Sequence, residues 1–152
     1  MKHIVGHEAF DMQNALTVPQ VFEQLSVYTP EAKQLYYAFS FADFFFPFFA
    51  ALFMSATAAF ALRHAFPAWY QKLNASSLFA LLLIPAAFDW LENIFALTVI
   101  SSFPEQREIT ASLMILAKKA KLASLVLAQL LVLVALGGSA VRWFYVRWTA
   151  RR

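Results

Sequence analysis

Ionisable residues interrupt the middle of three long apolar stretches of this chain. Asp43 lies in the first stretch, and Asp89 and Glu92 lie in the second. Lys118 and Lys121 lie in the third. A charged side chain is costly in hydrocarbon, and it normally faces a protein interior or a water-filled cavity. The pattern therefore predicts that these groups meet in a polar site inside a membrane.

Helical spacing allows the polar residues to face one another. Asp89, Glu92 and Asn93 occupy positions i, i+3 and i+4, which share one face of a helix. Lys118 and Lys121 also share a face. Counted from the ends of their stretches at a rise of about 1.5 Å per residue, the polar positions lie roughly 10–18 Å deep. The predicted polar pocket consists of Asp43, Asp89, Glu92, Asn93, Lys118 and Lys121.

Two prolines lie one helical turn from these acids. Pro47 cannot donate a hydrogen bond to the carbonyl of Asp43. Pro85, which is one turn before Asp89, likewise leaves the carbonyl of Leu81 without its helical partner. Broken helices at membrane depth are tolerated where the freed groups line protein or water, which favours a site. An ordinary kink is the alternative interpretation of each proline.

Three roles are open for such a pocket. The leading hypothesis is a non-enzymatic pocket that binds or relays a small ion, a proton or an amphiphile, because a low dielectric favours the uncharged forms of acids and amines. The first alternative is an intramembrane enzyme acting on a lipid, with Asp89 or Glu92 as base and Lys118 or Lys121 as electrostatic partner. The second is a structural subunit whose charges only pair helices. Three acids against three lysines, Lys119 included, favour mutual pairing over a cation site.

Other chemistry has little support in the sequence. The chain contains no cysteine, which excludes thiolate chemistry and disulfides within it. A divalent metal site would need more acids and fewer lysines. His3 and His7 are spaced i, i+4, but this pattern near a terminus is more typical of solvated polar residues. We therefore predict no metal and no cofactor.

The elements that position the pocket are predicted to be membrane-spanning helices. The 152 residues are 61% hydrophobic and only 14% charged, which is unlike a soluble protein. About 20 apolar residues cross roughly 30 Å of hydrocarbon as a helix. The sequence therefore predicts an all-α transmembrane bundle of three spans, at about Tyr36–Leu62, Leu78–Ile100 and Ile109–Tyr145. The third stretch is too long for one perpendicular span, so it either tilts or projects as one helix or divides into two elements near Lys118–Lys121.

Charge asymmetry predicts the orientation. The connection after the first span contains Arg63, His64 and Lys72 without an acid, and the tail after the third span is also basic. Basic residues beside span ends favour the cytoplasmic side, so the carboxyl terminus is predicted to be cytoplasmic in a plasma or inner membrane. The net charge of +3 comes from these span ends and does not indicate nucleic-acid binding.

Outside the spans, residues 1–35 are predicted to form an extracytoplasmic amphipathic segment, and residues 36–152 the bundle with its tail. Thr17-Val18-Pro19 is a typical helix start. Val18, Val21, Phe22 and Leu25 then follow helical spacing. We expect a short helix that either lies flat on the outer membrane surface or covers the bundle as a lid.

Small residues predict where helices pack closely. Ala51, Ser55 and Ala59 recur every four residues, and Gly137 and Gly138 lie in the same half of the third span. This half is expected to be tightly packed and the bundle accessible from the other end. Three helices enclose little volume, so we also expect membrane lipids around the chain and a homo-oligomer or a partner membrane subunit, with the Ala51, Ser55 and Ala59 face as the contact.

Several short motifs lie along the chain. They are Phe10-Asp11, Tyr28-Thr29-Pro30-Glu31-Ala32 and Phe88-Asp89-Trp90-Leu91-Glu92-Asn93, together with Tyr36-Tyr37, Asp43, Pro47 and Phe103-Pro104. In these motifs the chain resembles an uncharacterised family of small bacterial multi-span membrane proteins. The resemblance implies a helical bundle and carries over Asp43, Asp89, Glu92 and Asn93 as polar positions. Members of that family typically have four spans, with one more helix ahead of the Phe-Asp segment. A truncated product and a three-span version both remain open for this chain.

Overall fold

The computed structural model describes residues 8–150, apart from the side chain of Asp11. His3, His7, Arg151 and Arg152 lie outside the described residues. All regular structure in the described part is helical. The α-helices are α1 (Val18–Ser26), α2 (Pro30–Asp43), α3 (Phe46–Ala65), α4 (Pro67–Ala75), α5 (Ile84–Ser102) and α6 (Glu108–Thr149), with 3₁₀ turns at Phe10–Met12 and Leu78–Leu83.

Three helical segments are long and apolar enough to cross a membrane. They are Pro30–Ala65, Leu78–Ser102 and Glu108–Thr149. Their length and composition confirm the predicted all-α fold of three spans plus a short amphipathic helix. The sequence pattern predicted this correctly because each stretch exceeds the roughly 20 residues needed to span hydrocarbon.

The first of these segments is broken directly after Asp43. Helix α2 ends at Asp43, and α3 begins at Phe46 with Pro47 as its second residue. Proline has no N–H to donate, so the helical hydrogen-bond pattern cannot continue across this point. The side-chain N–H of Trp90 donates to the carbonyl of Phe44 at 2.7 Å and satisfies one backbone group at the break. The sequence therefore located the interruption correctly at the proline.

The other two segments differ from each other. The second starts with the 3₁₀ turn Leu78–Leu83 and continues as α5, with Pro85 as its second residue. The third is one uninterrupted helix of 42 residues, so the alternative of two elements meeting near Lys118–Lys121 is wrong. At about 1.5 Å per residue this helix is roughly 63 Å long.

One helix was not predicted. The connection between the first two segments contains α4, which starts with Pro67 as its first residue. Proline at the first helical position is favoured because its fixed φ suits the helix and its missing N–H is not needed there. The apolar periodicity is too weak in this segment to reveal a helix.

The described chain divides into two contact units. The first contains the residues up to Pro47 together with Ala86–Lys121, and the second contains Phe48–Pro85 and the residues from Leu122 onward. In the first unit the apolar face of α1, formed by Val21, Phe22 and Leu25, is buried in a core with α5 and α6. The α5 and α6 residues of that core are Ala96, Val99, Ile100, Ala111 and Met114. Helix α1 therefore covers protein, as the lid alternative expected.

The second unit has a core of small residues. Ala58 of α3 and Leu82 are buried with the α6 residues Ala128, Val132 and Ala135. Small side chains let helix backbones approach closely, which explains the enrichment in alanine.

The predicted packing residues have unequal surroundings. Ala51 is buried, Ala59 is partly buried, and the Ser55 hydroxyl donates to the carbonyl of Phe79 at 3.1 Å. Gly138 lies against the ring of Phe66, whereas a Cβ added at Gly137 would meet no atom within 4 Å. The expectation of tight packing at Gly137 is therefore wrong, because successive residues of a helix point about 100° apart and Gly137 faces open space.

Candidate functional site

Three helices of the first unit supply the polar residues that the sequence singled out. Asp43 is the last residue of α2, where the chain turns before Pro47. Helix α5 presents Asp89, Glu92 and Asn93 on one face because of their i, i+3 and i+4 spacing. Helix α6 presents Lys118 and Lys121. We refer to these six residues as the polar cluster.

Lys121 is held between two carboxylates of α5. Its Nζ lies 2.8 Å from Asp89 Oδ1 and 2.6 Å from Glu92 Oε2. The side chain of Lys121 is 14% exposed, and those of Asp89 and Glu92 are 6% and 3% exposed. Lys118 approaches the same Glu92, with Nζ 3.6 Å from Oε1. These contacts join α5 to α6 through buried charges.

Asn93 links the two aspartates. Its Nδ2 donates to Asp43 Oδ2 at 3.0 Å and to Asp89 Oδ2 at 3.3 Å. One amide group therefore joins the end of α2 to the charged face of α5. Asp43 is partly exposed, and it makes no ion pair with any described residue. Within the described part of the chain, its carboxyl group accepts a hydrogen bond from the neutral amide of Asn93.

The amino-terminal segment closes over one side of the polar cluster. Lys118 Nζ donates to the carbonyl of Phe10 at 2.7 Å, and both residues are buried. The ring of Phe10 in turn lies between Tyr28 and Tyr36, at centroid distances of 5.8 and 5.7 Å. The segment ahead of α1 is therefore fixed to α6 both by a hydrogen bond to a charged group and by aromatic packing.

The charges of the polar cluster do not cancel. Lys119 is exposed, since it points away from the face that carries Lys118 and Lys121. Among the described side chains the cluster therefore holds three carboxyl groups, from Asp43, Asp89 and Glu92, against two ammonium groups. The sequence indicated three acids against three lysines. That count included Lys119, which lies outside the polar cluster.

Two members of the site were missed by sequence reasoning. The carbonyl of Phe10 has no sequence signal, because any residue has one. Trp90 also lies beside the cluster, through its bond to Phe44 at the helix break. Its position between Asp89 and Glu92 on the same helix is a signal that could have located it.

Comparison with family models, with curated proteins and with solved structures gives no match for this chain. The resemblance to small bacterial multi-span membrane proteins therefore stays a prediction.

Proposed function

We propose that this chain is an integral membrane protein whose polar cluster binds a proton. The outer half of the bundle would hold the cluster, and the carboxyl terminus would face the cytoplasm of a bacterium. The basic, acid-free connection with Arg63 and Lys72 and the basic end of α6 support this orientation. Association with a second copy or another membrane subunit, in surrounding lipid, is part of the same proposal.

The excess of one carboxyl group carries this proposal. An unbalanced charge costs far more in hydrocarbon than a neutral carboxylic acid does. Uptake of one proton, shared among the three carboxyl groups, would leave a neutral cluster with two ion pairs. The Asn93 side chain donates to both Asp43 and Asp89, so two of these three carboxyl groups lie around one amide.

A proton suits the geometry better than a larger ligand. Asp89 and Glu92 already contact lysine at 2.8 and 2.6 Å, and each residue is at most 4% exposed. An amphiphile headgroup or a hydrated ion would have to displace these contacts. A proton needs only an acceptor oxygen, and the carboxyl groups of the polar cluster supply several.

A structural role is the second candidate, and a specific observation favours it. The lysines of α6 connect two other parts of the chain, since Lys121 reaches α5 and Lys118 reaches the carbonyl of Phe10. Buried ion pairs are used in this way to fix helix register. The lipid enzyme is the less favoured alternative, because both candidate bases are engaged by lysine.

Infrared spectroscopy of the purified chain in lipid vesicles tests whether the polar cluster binds a proton. A protonated carboxyl group has a C=O vibration distinct from that of a carboxylate, and it shifts on exchange into heavy water. We expect the wild-type protein to show about one such group per chain at neutral pH, because the cluster is charge-balanced only when one acid is neutral. Asp43→Asn should remove this band, because two carboxylates then face two ammonium groups.

Glu105→Gln is the matched control. Glu105 is exposed and pairs with Arg107 at 3.1 Å in the connection before α6, so its loss should leave the band unchanged. A wild-type protein without any protonated carboxyl at neutral pH would contradict proton binding and leave the structural role. A band that survives Asp43→Asn would contradict the charge balance proposed for the cluster.

A further inference from the structure

A groove of about 570 Å³ lies in the second unit, between the ends of α3 and α6. This volume is in the usual range for small-molecule sites, about 300–1,000 Å³. Its surface is mostly apolar, with Phe60, Leu136, Trp143 and Val146 among the lining residues. His64, Arg142 and Arg147 also line it, and the two arginines give one part of the groove a positive charge.

No acid opposes this charge. Residues 48–85 and 122–152, which make up the second unit, contain no Asp or Glu in the sequence. The guanidinium groups therefore have no carboxylate of their own unit to pair with. A basic, acid-free groove beside the end of membrane-length helices is complementary to an anion that also carries an apolar part.

Aromatic rings hold both arginines in place. The Arg142 guanidinium lies 5.1 Å from the centroid of the Phe66 ring, and that of Arg147 lies 4.0 Å from the Trp143 ring. Stacking uses the face of a guanidinium and leaves the in-plane N–H donors available for a phosphate. Arginine binds phosphate through two parallel hydrogen bonds, which is stronger than a single point-charge contact.

We propose that this groove binds an anionic phospholipid. An acyl chain lies along Phe60 and Leu136, and the phosphate is bound by Arg142 and Arg147. The apolar lining selects a lipid over free phosphate, because inorganic phosphate gains nothing from the apolar surface. The positive charge of Arg142 and Arg147 selects an anionic lipid over a zwitterionic one. This site is separate from the polar cluster, and it does not depend on proton binding.

Lipid titration of the purified full chain in detergent micelles, read by native mass spectrometry, tests the site. We expect phosphatidylglycerol to bind on the order of tenfold more tightly than phosphatidylcholine with the same acyl chains. Replacing both arginines, by Arg142→Gln and Arg147→Gln, should abolish this preference. Arg63→Gln is the control, because Arg63 belongs to the same basic region but does not line the groove.

A groove-filling variant separates binding in the groove from general attraction to basic residues. Ala140 lines the groove, and Ala140→Leu should weaken phosphatidylglycerol binding without changing any charge. Ala123→Leu, at an exposed position of the same helix, should not. The proposal would be overturned if the two lipids bound equally, or if the preference survived the arginine replacements. It would also be overturned if Ala140→Leu kept full affinity for phosphatidylglycerol. Displacement of the lipid by an equal concentration of inorganic phosphate would also overturn it.

Discussion

Lys121 is the residue on which the polar cluster depends most. Its ammonium group contacts Asp89 and Glu92 together, so it balances charge that would otherwise be buried without a counter-ion. A buried ion pair adds little stability compared with an apolar replacement of both partners, but removal of one partner leaves an uncompensated charge. The geometry therefore predicts a strong asymmetry between this lysine and its exposed neighbours.

Lys121→Met should lower the free energy of unfolding by about 3 kcal/mol, because Asp89 loses its lysine partner and Glu92 keeps only the more distant Lys118. Lys119→Met is the matched control. Lys119 lies two residues away on the same helix and is exposed, so its replacement should change stability by less than about 0.5 kcal/mol. Equilibrium unfolding in mixed micelles measures both values. Similar stabilities for the two variants would show that Lys121 does not balance the α5 acids.

The residue types and their helical phase predicted which polar residues meet, but not how they pair. The i, i+3 and i+4 spacing placed Asp89, Glu92 and Asn93 on one face, and the structure brings that face to Lys118 and Lys121. The sequence could not show that Lys118 divides its contacts between Glu92 and the carbonyl of Phe10. Backbone acceptors and their distances follow from three-dimensional packing, which a linear pattern does not contain.

At the scale of the element, the described residues ahead of α2 bury one apolar face. Phe10 and Leu25 are each 1% exposed, and Tyr28 stacks on Phe10. The Tyr28 hydroxyl makes no hydrogen bond to a described residue. Burial raises the pKa of Tyr28 from its ordinary 10 to about 12, because the phenolate would lose its hydration.

This shift predicts how stability depends on pH. A raised pKa in the folded state means that the unfolded chain loses its proton first, so folding is favoured fully below pH 10. The contribution of Tyr28 should then be lost as the pH rises towards 12, by an amount on the order of 2 kcal/mol. Thermal unfolding between pH 8 and 12 measures how the stability of the wild type and that of Tyr28→Phe change with pH.

The phenylalanine variant should be stable at pH 8 and should lose less stability than the wild type at higher pH. Tyr37→Phe is the control, because Tyr37 is 40% exposed, and it should follow the wild type. Parallel curves for wild type and Tyr28→Phe over the whole range would show that Tyr28 is not buried in the folded protein.

Element boundaries were predictable where a residue forces them. Proline at positions 19, 30, 47 and 85 lies in the first turn of a helix in every case, because only there is its missing N–H harmless. The single long helix α6 was left open by the sequence, since the lysines in its first third resemble a break. The ion pairs of Lys118 and Lys121 satisfy those charges, so the helix continues through them.

At the scale of the whole molecule, charge is segregated between the two units. All nine acidic residues fall in the residue ranges of the first unit, and the charged residues of the second unit are all basic. The first unit accordingly contains the polar cluster, and the second contains the basic groove. Composition and apolar length predicted the class of fold, whereas the groove at Arg142 and Arg147 depends on packing that the sequence does not show.

Proton binding by the polar cluster requires that the cluster lie deep in the membrane, because charge balance is decisive only in hydrocarbon. Trp90 reports this depth, since it is bonded to Phe44 beside Asp43. The measurement is fluorescence quenching in vesicles, with Trp69, Trp143 and Trp148 replaced by phenylalanine so that Trp90 is the only tryptophan. A variant that keeps only Trp69, on α4, is the control. We predict that bromine on the acyl chains quenches Trp90 strongly and that aqueous iodide does not. Iodide quenching of Trp90 as strong as that of Trp69 would place the cluster in water and contradict proton binding inside the membrane.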